Sequence, residues 1–170
     1  MYRISITGPE CTGKTSLASR LALFYKEPWV EEYAREYLSK LNRAYEYDDL
    51  LLIAKGQIKM EKRKEIKSNK FLFCDTDILV LKVWSEYVYG KTDKWIDYML
   101  LNHKYDLYLL CYPDIKWEYD KLRENPENRE ELFYIYKSIL DKYKFNYAVI
   151  KGNGEERFKN AIVSIETYLK

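Results

Sequence analysis

The stretch YRISITGPECTGKT, residues 2–15, places a glycine-rich turn directly after a short apolar strand pattern, and this junction decides the fold. Gly8 to Thr15 fit the Walker A pattern GxxxxGK[ST], which joins a strand to a helix. An apolar run precedes the motif and a helical period follows it, so the context agrees with the pattern. We therefore predict a phosphate loop whose ATP-binding residues are Gly8, Glu10, Cys11, Thr12, Gly13, Lys14, Thr15 and Ser16.

The residue types of this loop suit the chemistry of a triphosphate. Glycines let backbone N–H groups converge on the β-phosphate, and the helix that follows directs its positive end at the same anion. Lys14 is predicted to reach the β- and γ-phosphates, and the Thr15 hydroxyl to bind Mg²⁺. The predicted cofactors are therefore ATP and Mg²⁺, and the alternative is a fortuitous glycine turn.

Composition limits the class of protein. The chain has 170 residues, of which 47% are apolar, which suits one domain spanning residues 1–170. With 29 basic and 27 acidic residues the formal net charge is only +2, so we expect a small-molecule substrate rather than nucleic acid. The three cysteines lack metal-ligand spacing. No apolar run approaches the roughly 20 residues that span a bilayer, so we expect no membrane anchor. The cysteine pattern favours a reducing compartment, so we expect a cytoplasmic protein. The sequence does not determine the oligomeric state.

Short apolar runs alternate with longer segments of helical period, a pattern typical of an α/β fold with a parallel sheet between helices. Five strands are predicted, at Tyr2–Thr7, Trp29–Glu31, Phe71–Cys74, Leu107–Cys111 and Tyr147–Ile150. Helices are predicted at Gly13–Tyr25, Ala34–Leu41, Asp49–Lys67, Asp77–Tyr89, Lys94–Asn102, Glu130–Tyr143 and from Glu155 onward. The charged, irregular segment at residues 113–129 is predicted to be a lid, with an ordinary surface loop as the alternative.

The apolar run FLFCD, residues 71–75, ends in an acid, as the second element of a nucleotide site does. Asp75 is predicted to bind Mg²⁺ together with Thr15, and the alternative is that it caps the next helix. Many motor-type ATPases place a Glu after this acid to activate water, whereas this chain has Thr76, which favours transfer to another acceptor. Asp77 is interpreted either as a substrate ligand or as a helix cap.

Two other classes of phosphate-loop protein fit less well. The chain carries neither the NKxD motif that recognises guanine nor a DxxG switch after the Walker A element. A typical AAA+ module needs a longer chain with a separate helical subdomain. We therefore expect neither a GTPase nor an AAA+ protein.

The segment EEYAREY, residues 31–37, follows the second predicted strand. Ligands of a doubly wound sheet bind beyond the carboxyl ends of its strands. Glu31 or Glu32 is therefore predicted to accept a hydrogen bond from the substrate hydroxyl, and Arg35 to neutralise charge. The alternative is that these charges form a solvated helix face with i,i+4 pairs.

Within the predicted lid, Arg123 and, after it, Arg129 are predicted to close on the transferring phosphoryl group, with a surface charge as the alternative. Four aromatic side chains are candidates for stacking on a flat base, and core packing is the alternative for each. They are Tyr33, Trp84, Tyr87 and Trp117. His103, the only histidine, is predicted to lie in a turn.

Taken together, six motifs resemble the ribosylnicotinamide kinase domain of the bacterial NadR proteins in their order and spacing, over nearly the whole chain. They are GPECTGKT at residues 8–15, EYAREYL at 32–38, GQ at 56–57, DTD at 75–77, YDLYLL at 105–110 and WxxDxLR at 117–123. The resemblance implies a three-layer P-loop NTPase fold like that of the nucleoside and nucleotide monophosphate kinases, with strand order 2-3-1-4-5 and a lid. It also implies transfer of the γ-phosphoryl group of ATP to the 5′-hydroxyl of nicotinamide riboside, which gives nicotinamide mononucleotide.

The resemblance also implies roles for particular residues. The nucleotide and magnesium site comprises Gly13, Lys14, Thr15 and Asp75. The resemblance brings forward Glu32, Arg35 and Trp117 as substrate-site residues and Arg123 as the lid arginine. The predicted catalytic residues are thus Lys14, Glu32, Asp75 and Arg123. The predicted substrate-binding residues are Glu32, Tyr33, Arg35, Asp77, Trp117 and Asp120. An aromatic face such as Trp117 or Tyr33, with a carboxylate nearby, suits the cationic pyridinium ring of nicotinamide riboside.

The sequence also departs from that family. NadR proteins carry an adenylyltransferase domain, and often a DNA-binding segment, before the kinase, whereas this chain starts at the first kinase strand. We therefore expect neither adenylylation of the product nor regulation of transcription. The alternatives left open are a kinase of another nucleoside and a non-catalytic ATP-binding regulatory protein.

Overall fold

The computed structural model describes residues 1–120 and 127–169. Within those ranges the strands are β1 (Tyr2–Thr7), β2 (Trp29–Val30), β3 (Phe71–Asp75), β4 (Leu107–Cys111) and β5 (Tyr147–Ile150). They form one parallel sheet in the order β2-β3-β1-β4-β5. The predicted α/β class and the strand order 2-3-1-4-5 are confirmed.

Helices connect these strands and cover both faces of the sheet. In the described residues they are α1 (Lys14–Tyr25), α2 (Tyr33–Ser39), α3 (Tyr47–Glu65), α4 (Ile78–Tyr89), α5 (Lys94–Asn102), α6 (Arg129–Tyr143) and α7 (Gly154–Tyr168). None of these helices has both the length and the apolar composition that crossing a membrane requires.

Several predicted element ends were wrong by one or two residues, as for the third helix, which is Tyr47–Glu65 rather than Asp49–Lys67. Two of these differences have a clear local reason. The second strand does not reach Glu31, because Glu32 is already the N-cap of α2 and the chain turns before it. The second helix does not reach Leu41. The backbone N–H groups of Lys40 and Leu41 bond to the carbonyls three residues earlier, at 3.2 Å each, and this tighter turn ends the helix at Ser39.

The strand β3 shows why its sequence is apolar throughout. Phe71 and Phe73 pack in one apolar layer with α1 and α7, whereas Leu72 and Cys74 pack in a second layer with α3, α4, α5 and α6. All four side chains are buried. A central strand that is covered on both faces has no polar face to show in its sequence. The sheet therefore lies between two layers of helices, as the predicted three-layer fold requires.

Polar side chains gather at the carboxyl edge of this sheet. Thr7 ends β1 and Asp75 ends β3, and both are buried. Gly8 carries the chain across this edge with φ 125°, and a Cβ there would lie 2.9 Å from the carbonyl oxygen of Cys111. Only glycine allows so close a passage with this backbone angle. The phosphate loop therefore begins directly over the end of β1, between the ends of β3 and β4.

Candidate active site

The predicted phosphate loop connects β1 to α1, and two of its residues have left-handed backbone angles. Cys11 has φ 53° and Gly13 has φ 74°. Left-handed residues placed this close together curl successive peptide N–H groups toward one concave side. Gly13 is also the N-cap of α1, and no side chain caps that helix end. This geometry suits an anion at the helix N-terminus.

The Lys14 ammonium lies on carbonyl groups of its own loop. Its Nζ donates to the oxygen of Gly8 at 3.0 Å and to the oxygen of Pro9 at 2.7 Å. The Thr12 hydroxyl donates to the same Pro9 oxygen at 2.8 Å. The loop therefore has a defined internal structure, with the lysine placed among the residues that line the adjoining cavity.

Thr15 and Asp75, the two predicted magnesium ligands, lie together below the loop. Thr15 Oγ1 donates to Asp75 Oδ2 at 2.6 Å, while Asp75 Oδ1 is buried without a hydrogen-bond partner in the described part of the chain. Burial and then the charge of Glu32 raise the pKa of Asp75 to about 6, against the Thr15 hydrogen bond and the Lys14 charge. Mg²⁺ takes one or two carboxylates and completes its shell with phosphate and water. The residues present therefore fit Mg²⁺.

Asp77, not Asp75, is the cap of the next helix. Asp77 Oδ1 accepts the backbone N–H of Val80 at 2.8 Å, and Oδ2 accepts the hydroxyl of Ser5. The side chain is fully buried, and burial raises its pKa to about 6. Asp77 is not among the described residues that line the cavity. The alternative interpretation of Asp75 as a cap was therefore wrong. Asp77 is the cap, it lies outside the described lining, and its role as a substrate ligand stays a prediction.

One cavity of about 320 Å³ adjoins the loop and extends between α2, α4 and α6. On one side it is lined by the whole predicted ATP-binding segment, residues 8–16. On the other side it is lined by Glu32 and Arg35 and by an apolar and aromatic wall. The wall consists of Ala34, Leu38, Val80, Val83, Trp84, Tyr87, Val88, Leu132 and Tyr136, with Thr76 between wall and loop. A phosphate-binding loop and an apolar pocket thus share one space.

Glu32 and Arg35 lie at the boundary between the two sides. Arg35 Nε donates to Glu32 Oε2 at 3.0 Å, and its NH1 donates to Asp120 Oδ2 at 3.0 Å. Glu36 points away and pairs with Lys40 on the exposed surface. Glu31 is exposed and is not among the described lining residues. The solvated-face interpretation therefore holds for Glu36, whereas Glu32, Arg35 and Asp120 form one connected cluster at the cavity.

Of the four aromatic candidates, Trp84 and Tyr87 line the cavity. Tyr33 does not belong to its described lining. The Tyr33 ring packs on Gly56 of α3, where a Cβ would fall 1.9 Å from Tyr33 Cε1, and the Tyr33 N–H donates to Gln57 Oε1 at 2.9 Å. The GQ pair at residues 56–57 thus contacts the start of α2, and the stacking role of Tyr33 stays a prediction.

Trp117 also lies outside the described cavity lining, and its ring contacts a cation instead. The guanidinium carbon of Arg129 lies 5.6 Å from the centre of the Trp117 ring. Arg129 NH1 donates to the carbonyl oxygens of Cys11, at 3.1 Å, and of Ile115, at 2.8 Å. Arg129 therefore contacts the outer side of the phosphate loop, and Trp117 packs beside it. Arg123, the first choice among lid arginines, lies outside the described residues.

Two residues at the site were missed in the sequence. Tyr136 lines the cavity four residues after Leu132, so the i,i+4 spacing on a predicted helix was the available signal. Arg157 is buried in α7, and its NH1 donates to the carbonyl oxygen of Thr12 at 2.7 Å. No local pattern marks Arg157, because its partner lies in another part of the sequence. His103 ends α5, and its Nε2 bonds to Glu61 Oε2 at 2.7 Å, away from the cavity.

Comparison with known proteins agrees with this architecture. A family described as "AAA domain" matches residues 3–157. The chain belongs to this family. The expectation that it lies outside the AAA group was therefore wrong, because that expectation used the length and helical subdomain of a typical AAA+ module rather than the phosphate-loop core that this chain has.

The resemblance to NadR proteins is confirmed. The chain is 24% identical over 154 residues to the trifunctional NAD biosynthesis/regulator protein NadR of Escherichia coli K12, a match that covers 87% of the chain and 38% of that relative. The chain thus spans well under half of that protein's length.

Solved structures share the fold over almost the whole chain. A NadR protein in complex with NAD and AMP-PNP is 25% identical with a TM-score of 0.76, and the match covers 98% of this chain and 49% of that one. A NadR protein in complex with NR is 24% identical with a TM-score of 0.80 and coverage of 98% and 51%. A deoxyadenosine kinase from M. mycoides shares only the fold, at 13% identity and a TM-score of 0.63 over 97% of this chain and 99% of that one.

Proposed function

We propose that this chain is an ATP-dependent nucleoside kinase, with the 5′-hydroxyl of nicotinamide riboside as the leading acceptor. The observation that carries the proposal is the single cavity that joins residues 8–16 to Glu32, Arg35 and an aromatic wall. Phosphoryl transfer needs donor and acceptor in one space from which most water is excluded. A cavity of this composition meets that need.

The donor half provides positive charge and backbone donors for the triphosphate. Lys14 is placed to move from the carbonyls of Gly8 and Pro9 to the β- and γ-phosphates, since its side chain already lies on the loop. Thr15 and Asp75 would hold Mg²⁺, which when bound would supply positive charge against the charge of the phosphates. Because Thr76 rather than an acid follows Asp75, the chain lacks the residue that motor-type ATPases use there to activate water.

The acceptor half positions the hydroxyl. Glu32 accepts the hydroxyl's hydrogen bond and then its proton, while the hydroxyl oxygen attacks the γ-phosphorus and the bond to the β-phosphate oxygen breaks, releasing ADP. Arg35 holds Glu32 in place, and Asp120 holds Arg35. Most of the rate enhancement in such a reaction comes from positioning and electrostatics rather than from covalent chemistry.

The aromatic wall suits a flat base, and a cationic one in particular. Trp84, Tyr87 and Tyr136 line the pocket on the side away from the phosphate loop. An aromatic face attracts a cation through its quadrupole, and the Glu32 carboxylate adds an opposite charge nearby. Nicotinamide riboside carries such a cationic ring. The NadR relatives, one solved with NR and one with NAD and AMP-PNP, support this acceptor.

We further propose that residues 113–129 act as a lid on one kinase domain of residues 1–170. The described part of this segment already contacts the phosphate loop, since a Cβ on Gly13 would lie 3.0 Å from Ile115 Cδ1, and the Glu118 N–H donates to Cys11 Sγ at 3.2 Å. Arg123 is proposed to meet the transferring phosphoryl group. Substitution of Arg123 by Lys, which should lower kcat and leave the KM of ATP nearly unchanged, tests that role.

The deciding experiment measures ADP release from Mg-ATP with nicotinamide riboside and with a panel of other nucleosides, using Lys14→Ala as the blank. Strong stimulation by nicotinamide riboside alone would support the full proposal. Stimulation by another nucleoside would keep the kinase and replace the acceptor. ATP binding without acceptor-dependent ADP release would overturn the kinase proposal in favour of a nucleotide-binding regulatory protein.

A further inference from the structure

Five carbonyl groups of the phosphate loop have identified hydrogen-bond donors. Lys14 Nζ donates to the carbonyl oxygens of Gly8 and Pro9. Arg129 donates to the oxygen of Cys11 and Arg157 to that of Thr12. The backbone N–H of Leu17 donates to the oxygen of Gly13. The last of these bonds is the first turn of α1 and needs no side chain. The bonds to Cys11 and Thr12 differ from it, because each comes from an arginine more than 100 positions away in the sequence.

These two arginines act on consecutive peptide units. A peptide unit is planar and trans, so its C=O and N–H groups point in opposite directions. The carbonyl of Cys11 shares one unit with the N–H of Thr12, and the carbonyl of Thr12 shares the next with the N–H of Gly13. A guanidinium that holds the Cys11 oxygen therefore directs the Thr12 N–H away from itself, and the same holds for the Thr12 oxygen and the Gly13 N–H.

We propose that Arg129 and Arg157 are positioning residues that orient the Thr12 and Gly13 N–H groups toward the phosphates of the bound nucleotide. This inference rests on the proposed function, because it assumes that the loop binds a polyphosphate. Anion sites made of backbone N–H groups bind tightly only when those groups are already aimed at the ligand. The two arginines would fix the direction of these N–H groups by binding the carbonyl groups on the opposite side of the same peptide units, without contacting the phosphates.

The surroundings of Arg157 show that it is fixed for this task. Its side chain is only 4% exposed. Besides Thr12, it donates to the carbonyl oxygens of Gly152, at 2.8 Å, and Tyr112, at 3.0 Å, and it pairs with the carboxylate of Asp114. A planar guanidinium makes this set of bonds in fixed directions, which a lysine ammonium does not reproduce. Arg157 is therefore a rigid support rather than a mobile surface charge.

Both arginines also bind the start of the 113–129 segment. Arg157 bonds to Tyr112 and Asp114, and Arg129 bonds to Ile115. The orientation of the loop amides is thereby connected to the position of the chain that leaves β4. A displacement of this stretch would release both carbonyl groups together, and with them both N–H groups.

The test compares Arg129→Gln and Arg157→Lys with wild type, and Arg20→Gln is the matched control. Arg20 pairs with Glu155 on the exposed surface between α1 and α7, and within the described residues it makes no hydrogen bond to the loop. Calorimetry measures the Kd of Mg-ATP and of inorganic tripolyphosphate, which carries the phosphates without the nucleoside. We expect both Kd values to rise about tenfold in each loop variant, by the same factor for the two ligands, and to stay unchanged in Arg20→Gln.

Backbone amide resonances provide a readout that general destabilisation would not give. Arg129→Gln should shift the amide of Thr12 more than that of Gly13, and Arg157→Lys should do the reverse. Arg129 is partly exposed, so its variant keeps the test valid even if Arg157→Lys does not fold.

The possible outcomes separate this inference from the proposed function. If wild type binds neither Mg-ATP nor tripolyphosphate, the proposed function fails. If wild type binds both ligands and the variants bind them equally well, the inference fails and the proposed function stands. Loss of ATP affinity with unchanged tripolyphosphate affinity would assign the arginines to the nucleoside part of the ligand, which also overturns the inference.

Discussion

The two halves of the cavity are built in different ways. The donor half is one continuous stretch, residues 8–16, completed by Asp75 from the neighbouring strand. The acceptor half is assembled from side chains of α2, α4 and α6, which lie up to about a hundred positions apart. Backbone groups dominate the first half and side chains the second. If the proposed function holds, phosphate binding depends on one local stretch of the chain, whereas the choice of acceptor depends on three helices that can vary independently.

The largest effect is expected from the donor half. Lys14→Ala should lower kcat at least about a thousandfold, because it removes the cation that is proposed to stabilise the transferring phosphoryl group. Thermal unfolding should be nearly unchanged, since the hydrogen bonds of Lys14 in the described part of the chain go to carbonyls of its own loop. Lys40→Ala, which removes an exposed lysine paired with Glu36, is the control and should keep full activity. Turnover that survives Lys14→Ala would contradict the phosphate-loop assignment.

The same contrast explains how much of the molecule is visible in the sequence. Gly8 to Thr15 and the run from Phe71 to Asp75 carry their patterns in adjacent residues, so β1, the turn before α1 and β3 were predicted at nearly the right positions, whereas the strand order came from the resemblance to NadR proteins. Trp117 and Tyr33 were placed at the substrate because of their type and motif, yet Tyr33 packs on Gly56. Burial among helices decides where a tyrosine ring points, and no local pattern contains that information.

The charged pairs of the site show the same limit. The sequence left open whether Glu31, Glu32 or Asp77 is the partner of the substrate hydroxyl. Of the three, Glu32 lies in the described lining of the cavity, next to Tyr33, whose N–H bonds to Gln57 of α3. Arg157 lies in the last helix and bonds to the carbonyl of Thr12. Because the two residues are far apart in the sequence, no local pattern predicts this contact.

A smaller effect is expected where the two halves meet. Glu32→Gln should lower kcat about a hundredfold, since the amide keeps the shape of the side chain but no longer takes the proton of the hydroxyl. The KM of ATP should change by less than about twofold, because the phosphate loop is untouched. Steady-state kinetics with both substrates varied measures the two effects separately.

Glu36→Gln is the matched control for this experiment, because Glu36 lies on the same helix and pairs with Lys40 at the surface. It should behave as wild type. Equal losses of kcat in the two variants would show that the charge of α2 acts only through a general field. No loss in Glu32→Gln would remove Glu32 from the mechanism.

Substitution in the aromatic wall of the cavity should raise the KM of the acceptor about tenfold and leave kcat nearly unchanged. Trp84→Ala removes a large flat surface from the pocket, so the KM of the acceptor should rise about tenfold while the KM of ATP stays the same. Trp84 Nε1 donates to Tyr45 Oη at 3.1 Å, so Tyr45→Phe removes the acceptor of this bond while it keeps the aromatic ring and the Trp84 side chain. If Tyr45→Phe had as large an effect as Trp84→Ala, the orientation of the indole rather than its area would determine acceptor binding.

The smallest kinetic effect is expected at Asp77, which lies two residues from Asp75 and was a candidate substrate ligand. Asp77→Asn should change kcat and the acceptor KM by less than about twofold, because Asn keeps the cap on the N–H of Val80 and the side chain is buried away from the cavity. Asp77→Ala, which loses the cap, should cost about 1 kcal/mol of stability. A loss of acceptor affinity in an Asp77→Asn variant that is at least as stable as wild type would support Asp77 as a ligand.

The pH dependence of the free energy of unfolding gives a second test at Asp77. The folded pKa of Asp77 is raised to about 6 from 3.8. Its protonated form is therefore the one that the fold favours, and the stability it contributes is complete below the unfolded pKa and is lost as pH rises through the folded pKa. Asn does not ionise, so Asp77→Asn should gain about 1–3 kcal/mol over wild type between about pH 4 and about pH 7. Chemical unfolding across that range, without added metal, measures the gain. Parallel curves for wild type and variant would show that Ser5 and Val80 already stabilise the ionised carboxylate fully.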